Sequence, residues 1–323
     1  MKVLDQKVTD RYAAYHGDCV DVLRGLPDDS AHYSIFSPPF ASLYTYSASP
    51  RDMGNVSSHE EFAESFRFVV AELYRVIKPG RLVSFHCMQL PTSKARDGFI
   101  GLRDFRGDLI RAFTDHGWIY HSEVVIWKDP VTAMQRTKAL GLLHKQIRKD
   151  STMSRQGIPD YLVTMRKPGT NPEPVSHTGA GDDMTVQMWQ RYASPVWVTT
   201  AGTDDEGFAV CSGETRPGDA SSTINPTDTL QYRSARENDD ERHICPLQLE
   251  VIRRAVKLWT NPGDTVLTPF GGIGSEGVVS LEMGRKVVLA ELKRSYFDQQ
   301  VRNLDAAASP QDKQMTLGEL MSA

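Results

Sequence analysis

Two adjacent prolines behind a short apolar run constrain this chain more than any other feature. Tyr33-Ser34-Ile35-Phe36 is apolar and short enough for a buried strand. Pro38 and Pro39 follow Ser37, and neither can donate to a strand ladder, so the strand must stop there. The result is a stiff ledge, Ser37-Pro38-Pro39-Phe40, at the carboxyl end of a strand, where open α/β sheets place their ligands. A hydroxyl, a proline carbonyl freed from the ladder and an aromatic ring belong to it. That set suits gripping a planar base by its amino group while stacking on its face.

A second segment, Thr268-Pro269-Phe270-Gly271-Gly272-Ile273-Gly274, lies near the other end of the chain. Gly272-Ile273-Gly274-Ser275-Glu276-Gly277 satisfies G-x-G-x-x-G between an expected strand at 265–268 and an expected helix at 275–283. Glycines there allow a tight turn and let the backbone approach an adenosine closely. A nicotinamide dinucleotide site would use the same pattern, but too little chain follows residue 270 to complete the second half of its sheet. Glu291 ends the next expected strand, where it could accept ribose hydroxyls or stand as a plain exposed charge.

Taken together, the two segments resemble the amino-methylating DNA methyltransferases in their permuted β-class order. In that family (Asp/Asn/Ser)-Pro-Pro-(aromatic) is the catalytic motif, so the resemblance implies catalytic Ser37, Pro38, Pro39 and Phe40. It implies S-adenosylmethionine as cofactor, double-stranded DNA as partner and a homodimer, and covers nearly the whole chain. Cofactor contacts are expected from Thr268, Phe270, Gly271, Gly272, Gly274, Ser275 and Glu291. Thr268 departs from the pattern, since the family usually has Asp there. His16-Gly17-Asp18-Cys19 resembles the family's Gly-Asp element, which places Asp18 and Cys19 at the cofactor adenine; Asp18 also suits a helix N-cap. His243-Ile244-Cys245-Pro246 stands where the family has a His-Pro-type segment, so His243 and Pro246 are expected at the methionine end.

The acceptor base divides the evidence. Ser at the first motif position is associated with cytosine N4, and Asp with adenine N6. The segments 126–130 and 135–140, however, look like a phage- and prophage-type orphan subgroup associated with adenine. Adenine N6 is the favoured expectation and cytosine N4 the alternative. A DNA-binding regulator with a decayed catalytic site is the alternative of another class, drawn from the Ser37 and Thr268 departures. Cytosine C5 chemistry needs a cysteine beside a proline pair, and Cys245-Pro246 lies in the wrong place.

Strand and helix patterns alternate along the chain, implying a doubly wound, mostly parallel α/β sheet of the Rossmann-like methyltransferase type. Residues 1–130 form the expected catalytic half, 131–242 an inserted target-recognition region partly mobile over 200–242, 243–308 the cofactor half and 309–323 a tail. A net charge of −4 gives no global attraction to DNA, so any nucleic-acid surface must be local. Candidate phosphate contacts are Arg51, Arg136, Lys138, His144, Lys145, Arg148, Lys149 and Arg155, for which a solvated helix face is the plainer alternative. Cysteines at 19, 87, 211 and 245 form no Cys-x-x-Cys pair, so no metal cluster or disulfide framework is expected. With no apolar run near the ~20 residues of a membrane span, the expected location is cytoplasmic.

Overall fold

A computed structural model describes residues 3–40, 53–55, 59–130, 140–177, 184–199, 224–231, 235 and 247–309. Its strands are β1 Asp5–Val8, β2 Tyr12–His16, β3 Ala31–Phe36, β4 Ile77–Met88, β5 Leu90–Pro91, β6 Leu102–Arg103, β7 Ile119–Trp127, β8 Asp160–Arg166, β9 Val196–Val198, β10 Thr265–Thr268 and β11 Lys286–Glu291. The helices are α1 Cys19–Arg24, α2 His59–Val76, α3 Lys94–Asp97, α4 Phe105–Thr114, α5 His144–Lys149, α6 Val186–Tyr192, α7 Leu249–Trp259, α8 Ser275–Glu282 and α9 Arg294–Ala308.

Nine strands form the main sheet in the order β1-β2-β11-β10-β3-β4-β8-β7-β9. From β2 to β4 all neighbours are parallel. By contrast β1 runs antiparallel to β2, and β8 antiparallel to both β4 and β7. The sheet is therefore mostly parallel but mixed.

Alternation along the strands supplies two apolar faces. Phe36, Val83, Phe85 and Leu267 pack with α1, α2 and α4 on one side. Tyr33, Ile35 and Val266 pack on the other against Val251, Ile252, Ala255 and Val256 of α7. In α2, Phe62, Phe66, Val69, Leu73 and Val76 are buried, the helical spacing that the sequence carries. α8 and α9 cover the β2–β11 end.

Two regions differ from the sequence expectation. Pro79-Gly80, expected to separate α2 from the next strand, lies inside β4. Gly80 takes φ +72°, and the β3–β4 register shifts between Ala31 and Tyr33, so the pair is absorbed as an irregularity rather than a break. The stretch 131–242, expected as an insertion, contributes β8 and β9 to the main sheet. β8 satisfies the otherwise open edges of both β4 and β7, which is why an apolar run bounded by prolines is drawn into the core.

Near the amino-terminal ends of the central strands β4 and β10 lies a buried ion pair. Arg81 is 2% exposed and donates from Nη2 to Asp264 Oδ2 at 2.7 Å, while Asn261 N–H donates to the same oxygen at 2.9 Å. Arg81 Nε and Nη1 have no hydrogen-bond partner among the described residues. Removing one member of such a pair strands the other charge, at a cost of about 3–5 kcal/mol. We expect Asp264→Ala to lower the urea-unfolding free energy by that amount. Lys7→Ala, at the exposed Lys7–Asp305 pair, is expected to cost about 0–1 kcal/mol.

Candidate active site

Parallel pairing of β3 with β10 brings the two sequence motifs to one place. The register sets Val266 beside Tyr33 and Leu267 beside Ser34, so both strands end together. Ser34 Oγ donates to Leu267 O at 2.8 Å, and Thr268 Oγ1 donates back to Ile35 O at 3.0 Å. Beyond these bonds the Ser37–Phe40 ledge and the 269–274 turn leave the sheet side by side. Phe36 and Phe270 rings meet at 5.6 Å, and Phe40 packs on the same apolar cluster as Phe270. The site thus sits at the carboxyl ends of the parallel strands, between β10 and β3, where the crossover helices change faces of the sheet.

The ledge is held by its neighbours. Phe36 pairs with Phe85, so the next residues, Ser37 and His86, share a face. Ser37 Oγ and His86 Nδ1 are 3.1 Å apart. His86 Nε2 lies 2.9 Å from Asp160 Oδ2, and Lys128 Nζ pairs with that same oxygen. Burial opposes ionisation of Asp160, but Lys128 and His86 outweigh it and hold the carboxyl below its ordinary range. A carboxylate only accepts, so His86 carries its proton on Nε2; with the ring neutral, bare Nδ1 accepts from the Ser37 hydroxyl. The Phe40 ring sits edge-on to His86 at 6.4 Å and to Phe105 at 6.1 Å, which sets its plane.

Glycines shape the other wall. Gly272 takes φ +51° and Gly274 φ +91°, conformations that L side chains rarely adopt. Among the described residues no atom lies within 4 Å of where a Cβ at Gly272 would stand, so the turn is open on that side. Glu291 braces the turn: its carboxylate accepts from Gly272 N–H and Lys293 N–H, each at 2.8 Å. Gly17 N–H donates to Glu291 O at 2.9 Å, which joins the Gly-Asp element to the same strand end.

The expected site residues fare unequally. Ser37, Phe40, Phe270, the cradle glycines and Glu291 converge on this edge. Asp18 caps α1, accepting from Val20 N–H at 3.0 Å and Asp21 N–H at 3.2 Å. Cys19 is buried in the core, where burial and the nearby Asp18 carboxylate push its thiol up. Thr268 is fully buried and spends its hydroxyl proton on β3, so its side chain does not reach the cleft surface. His144, Lys145, Arg148 and Lys149 gather on the short exposed α5, and Arg155 ties back to Gly141. Arg51, Arg136, Lys138, His243 and Pro246, and 200–223, 232–234 and 236–242 of the stretch expected to be mobile, lie outside the described residues. Sequence reasoning missed His86, Asp160 and Lys128. The signals were slight: a histidine ending a strand pattern, and an acid opening an apolar run after Pro159.

An open, mostly parallel sheet with an antiparallel strand beside β4, and a glycine turn after a central strand, is the architecture of methyltransferases that use S-adenosylmethionine. The DNA methylase family model of the N6/N4 type matches residues 31–302, and the chain belongs to that family. S-adenosylmethionine is its cofactor, and the open glycine turn fits it. The type II methyltransferase M.BglII of Bacillus subtilis is 23% identical over 286 residues, covering 88% of this chain and 66% of that protein. The fold is similar to TTHA0409 of Thermus thermophilus, a DNA modification methylase solved with S-adenosyl-L-methionine. That match has a TM-score of 0.64 and 18% identity, over 94% of this chain and 96% of that one. It is also similar to the cytosine-N4-specific PvuII DNA methyltransferase, with a TM-score of 0.58 and 15% identity, over 94% and 90% of the two chains. Among the described residues no helix is long and apolar enough to cross a membrane.

One carboxyl in this half titrates unusually. Glu276, in the first turn of α8, is 6% exposed, and burial pushes its pKa up to about 7. Between the ordinary 4.5 and about 7 the folded chain keeps a proton that the unfolded chain has lost. Stability contributed below pH 4.5 is therefore lost as pH rises through 7, a difference of about 3 kcal/mol. Urea unfolding at pH 4.5 and pH 8 should show the wild type losing about that much relative to Glu276→Gln.

Proposed function

We propose that this chain transfers a methyl group from S-adenosylmethionine to the exocyclic amino group of a base flipped out of duplex DNA. The observation that carries the proposal is the β3–β10 pairing, which brings the Ser37–Phe40 ledge and the glycine turn to the same strand ends. Residues 270–275, braced by Glu291, would hold the cofactor, with Asp18 near its adenine. When bound, S-adenosylmethionine supplies a methyl made electrophilic by a sulfonium.

The chain's own residues prepare the acceptor. An exocyclic amine is a poor nucleophile because its lone pair is delocalised into the ring. Hydrogen bonds from the NH₂ to Ser37 Oγ and the Pro38 carbonyl favour a pyramidal nitrogen and localise that pair. Holding the reacting groups in line contributes up to about 7–11 kcal/mol of the barrier reduction. Flipping the base costs a few kcal/mol, of which stacking on Phe40 returns about 1–3 kcal/mol. The cations of α5, with Arg51, Arg136, Lys138 and Arg155, are the proposed phosphate contacts, and 131–242 apart from the sheet strands β8 and β9 is the proposed recognition region.

Adenine N6 is the base we propose, supported by the resemblance of 126–130 and 135–140 to an adenine-associated subgroup. Cytosine N4 is the second reading, favoured by Ser37 at the first motif position. Labelled methyl transfer to duplex DNA, followed by modification-sensitive sequencing of the product, decides both activity and base. Ser37→Ala is expected to lower the rate about 10²-fold. Phe40→Ala should cost about 1–3 kcal/mol of base binding. Cofactor and DNA binding without any transfer would instead identify a regulator with a decayed site.

A further inference from the structure

We infer that His86 and Asp160, with Lys128 behind them, are positioning residues that make the Ser37 hydroxyl an acceptor and give the amine proton a way out. The inference rests on the proposed amino-methylation and assigns it a relay. Each member comes from a different place at one edge: Ser37 after β3, His86 near the end of β4, Asp160 at the start of β8 and Lys128 just past β7. The register explains their meeting, since Asp160 lies opposite both Met88 and Ile126.

A serine hydroxyl alone is ambivalent, because it can donate to the base as readily as accept from it. Here the polarity is set from behind. Asp160, held ionised beside Lys128, accepts a hydrogen bond from His86 Nε2–H at 2.9 Å. The bare Nδ1 then accepts a hydrogen bond from the Ser37 hydroxyl at 3.1 Å, leaving both Oγ lone pairs for the NH₂ of the base. A donor hydroxyl would hydrogen-bond to the amine lone pair and quench the nucleophile.

The same chain of bonds balances the proton. Once the methyl has passed to nitrogen, its bond to sulfur breaking with the electron pair left on sulfur, the nitrogen bears a proton in excess. That N–H bond breaks with its electron pair left on nitrogen, and the proton goes to Ser37 Oγ as the hydroxyl proton passes to His86 Nδ1. The resulting imidazolium faces Asp160 and returns its proton to water. Asp160 Oδ2, in hydrogen-bond contact with Nε2, favours the charged ring, and Oδ1 has no hydrogen-bond partner among the described residues.

Two measurements on the full-length chain test this. In ¹⁵N-histidine-labelled protein at pH 8, two-bond proton–nitrogen correlation reports the His86 tautomer, with His86→Asn assigning its signals. The expected spectrum has the proton on Nε2, and an Nδ1 signal that moves toward that of a bare nitrogen in Ser37→Ala. A proton on Nδ1, or no response to Ser37→Ala, overturns the inference. Single-turnover transfer should fall about 10²-fold in His86→Asn and about 10-fold in Asp160→Asn, with cofactor affinity unchanged by calorimetry. Because a carboxylate at 37 accepts without help, Ser37→Asp/His86→Asn should transfer faster than His86→Asn alone. Wild-type rates in His86→Asn would sink the relay and leave the methyltransferase proposal standing. A wild type that transfers nothing would sink that proposal, and the imidazole spectrum alone would then decide the hydroxyl's polarity.

Discussion

Everything at this site depends on the pairing of β3 with β10, strands that lie near opposite ends of the chain. Parallel strands need a crossover, and here the crossover is most of the molecule. The reciprocal hydroxyl bonds of Ser34 and Thr268 each contribute on the order of 1 kcal/mol. Their larger effect is on register. A slip of one residue would turn alternate side chains to the wrong face and move Phe36 from Phe270. Thr268 is thereby explained where the family usually has Asp: in this chain the position serves the ladder.

Glu291 has a comparable part on the cofactor side. Turns built on positive-φ glycines are entropically costly and collapse readily when nothing holds them. Glu291 satisfies Gly272 N–H and Lys293 N–H through its side chain and Gly17 N–H through its carbonyl, so three connections meet at the end of β11. Such bracing lowers the ordering cost of binding at this turn. Any contact of Glu291 with a ribose must share oxygens already engaged by the backbone.

Much of this was legible in the sequence, and the exceptions have a common cause. The period of α2, the strand at 265–268 and the glycine turn are local patterns, and local patterns were sufficient to place them. The two motifs could be joined because a proline pair and a glycine turn each imply a strand end. Pro79-Gly80 misled because a turn pair and a bulge look identical until the partner strand is known. β8 was hidden because its antiparallel pairing with β4 and β7 is a tertiary fact. Without that register Asp160 and Lys128 are ordinary surface charges, and His86 an ordinary strand-end residue.

The antiparallel strand also answers a question of chemistry. A parallel strand presents its carboxyl end at this edge, where loops depart; an antiparallel one presents its amino end, followed at once by the ladder. Asp160 is therefore fixed by β-pairing on both sides, rather than by a loop. A buried carboxylate in such a position costs several kcal/mol unless paired, and Lys128 and His86 supply the pairing. Many members of the family carry a carboxylate on the ledge itself. In this chain the negative charge stands two strands away, and reaches the ledge as a polarised hydroxyl through one imidazole.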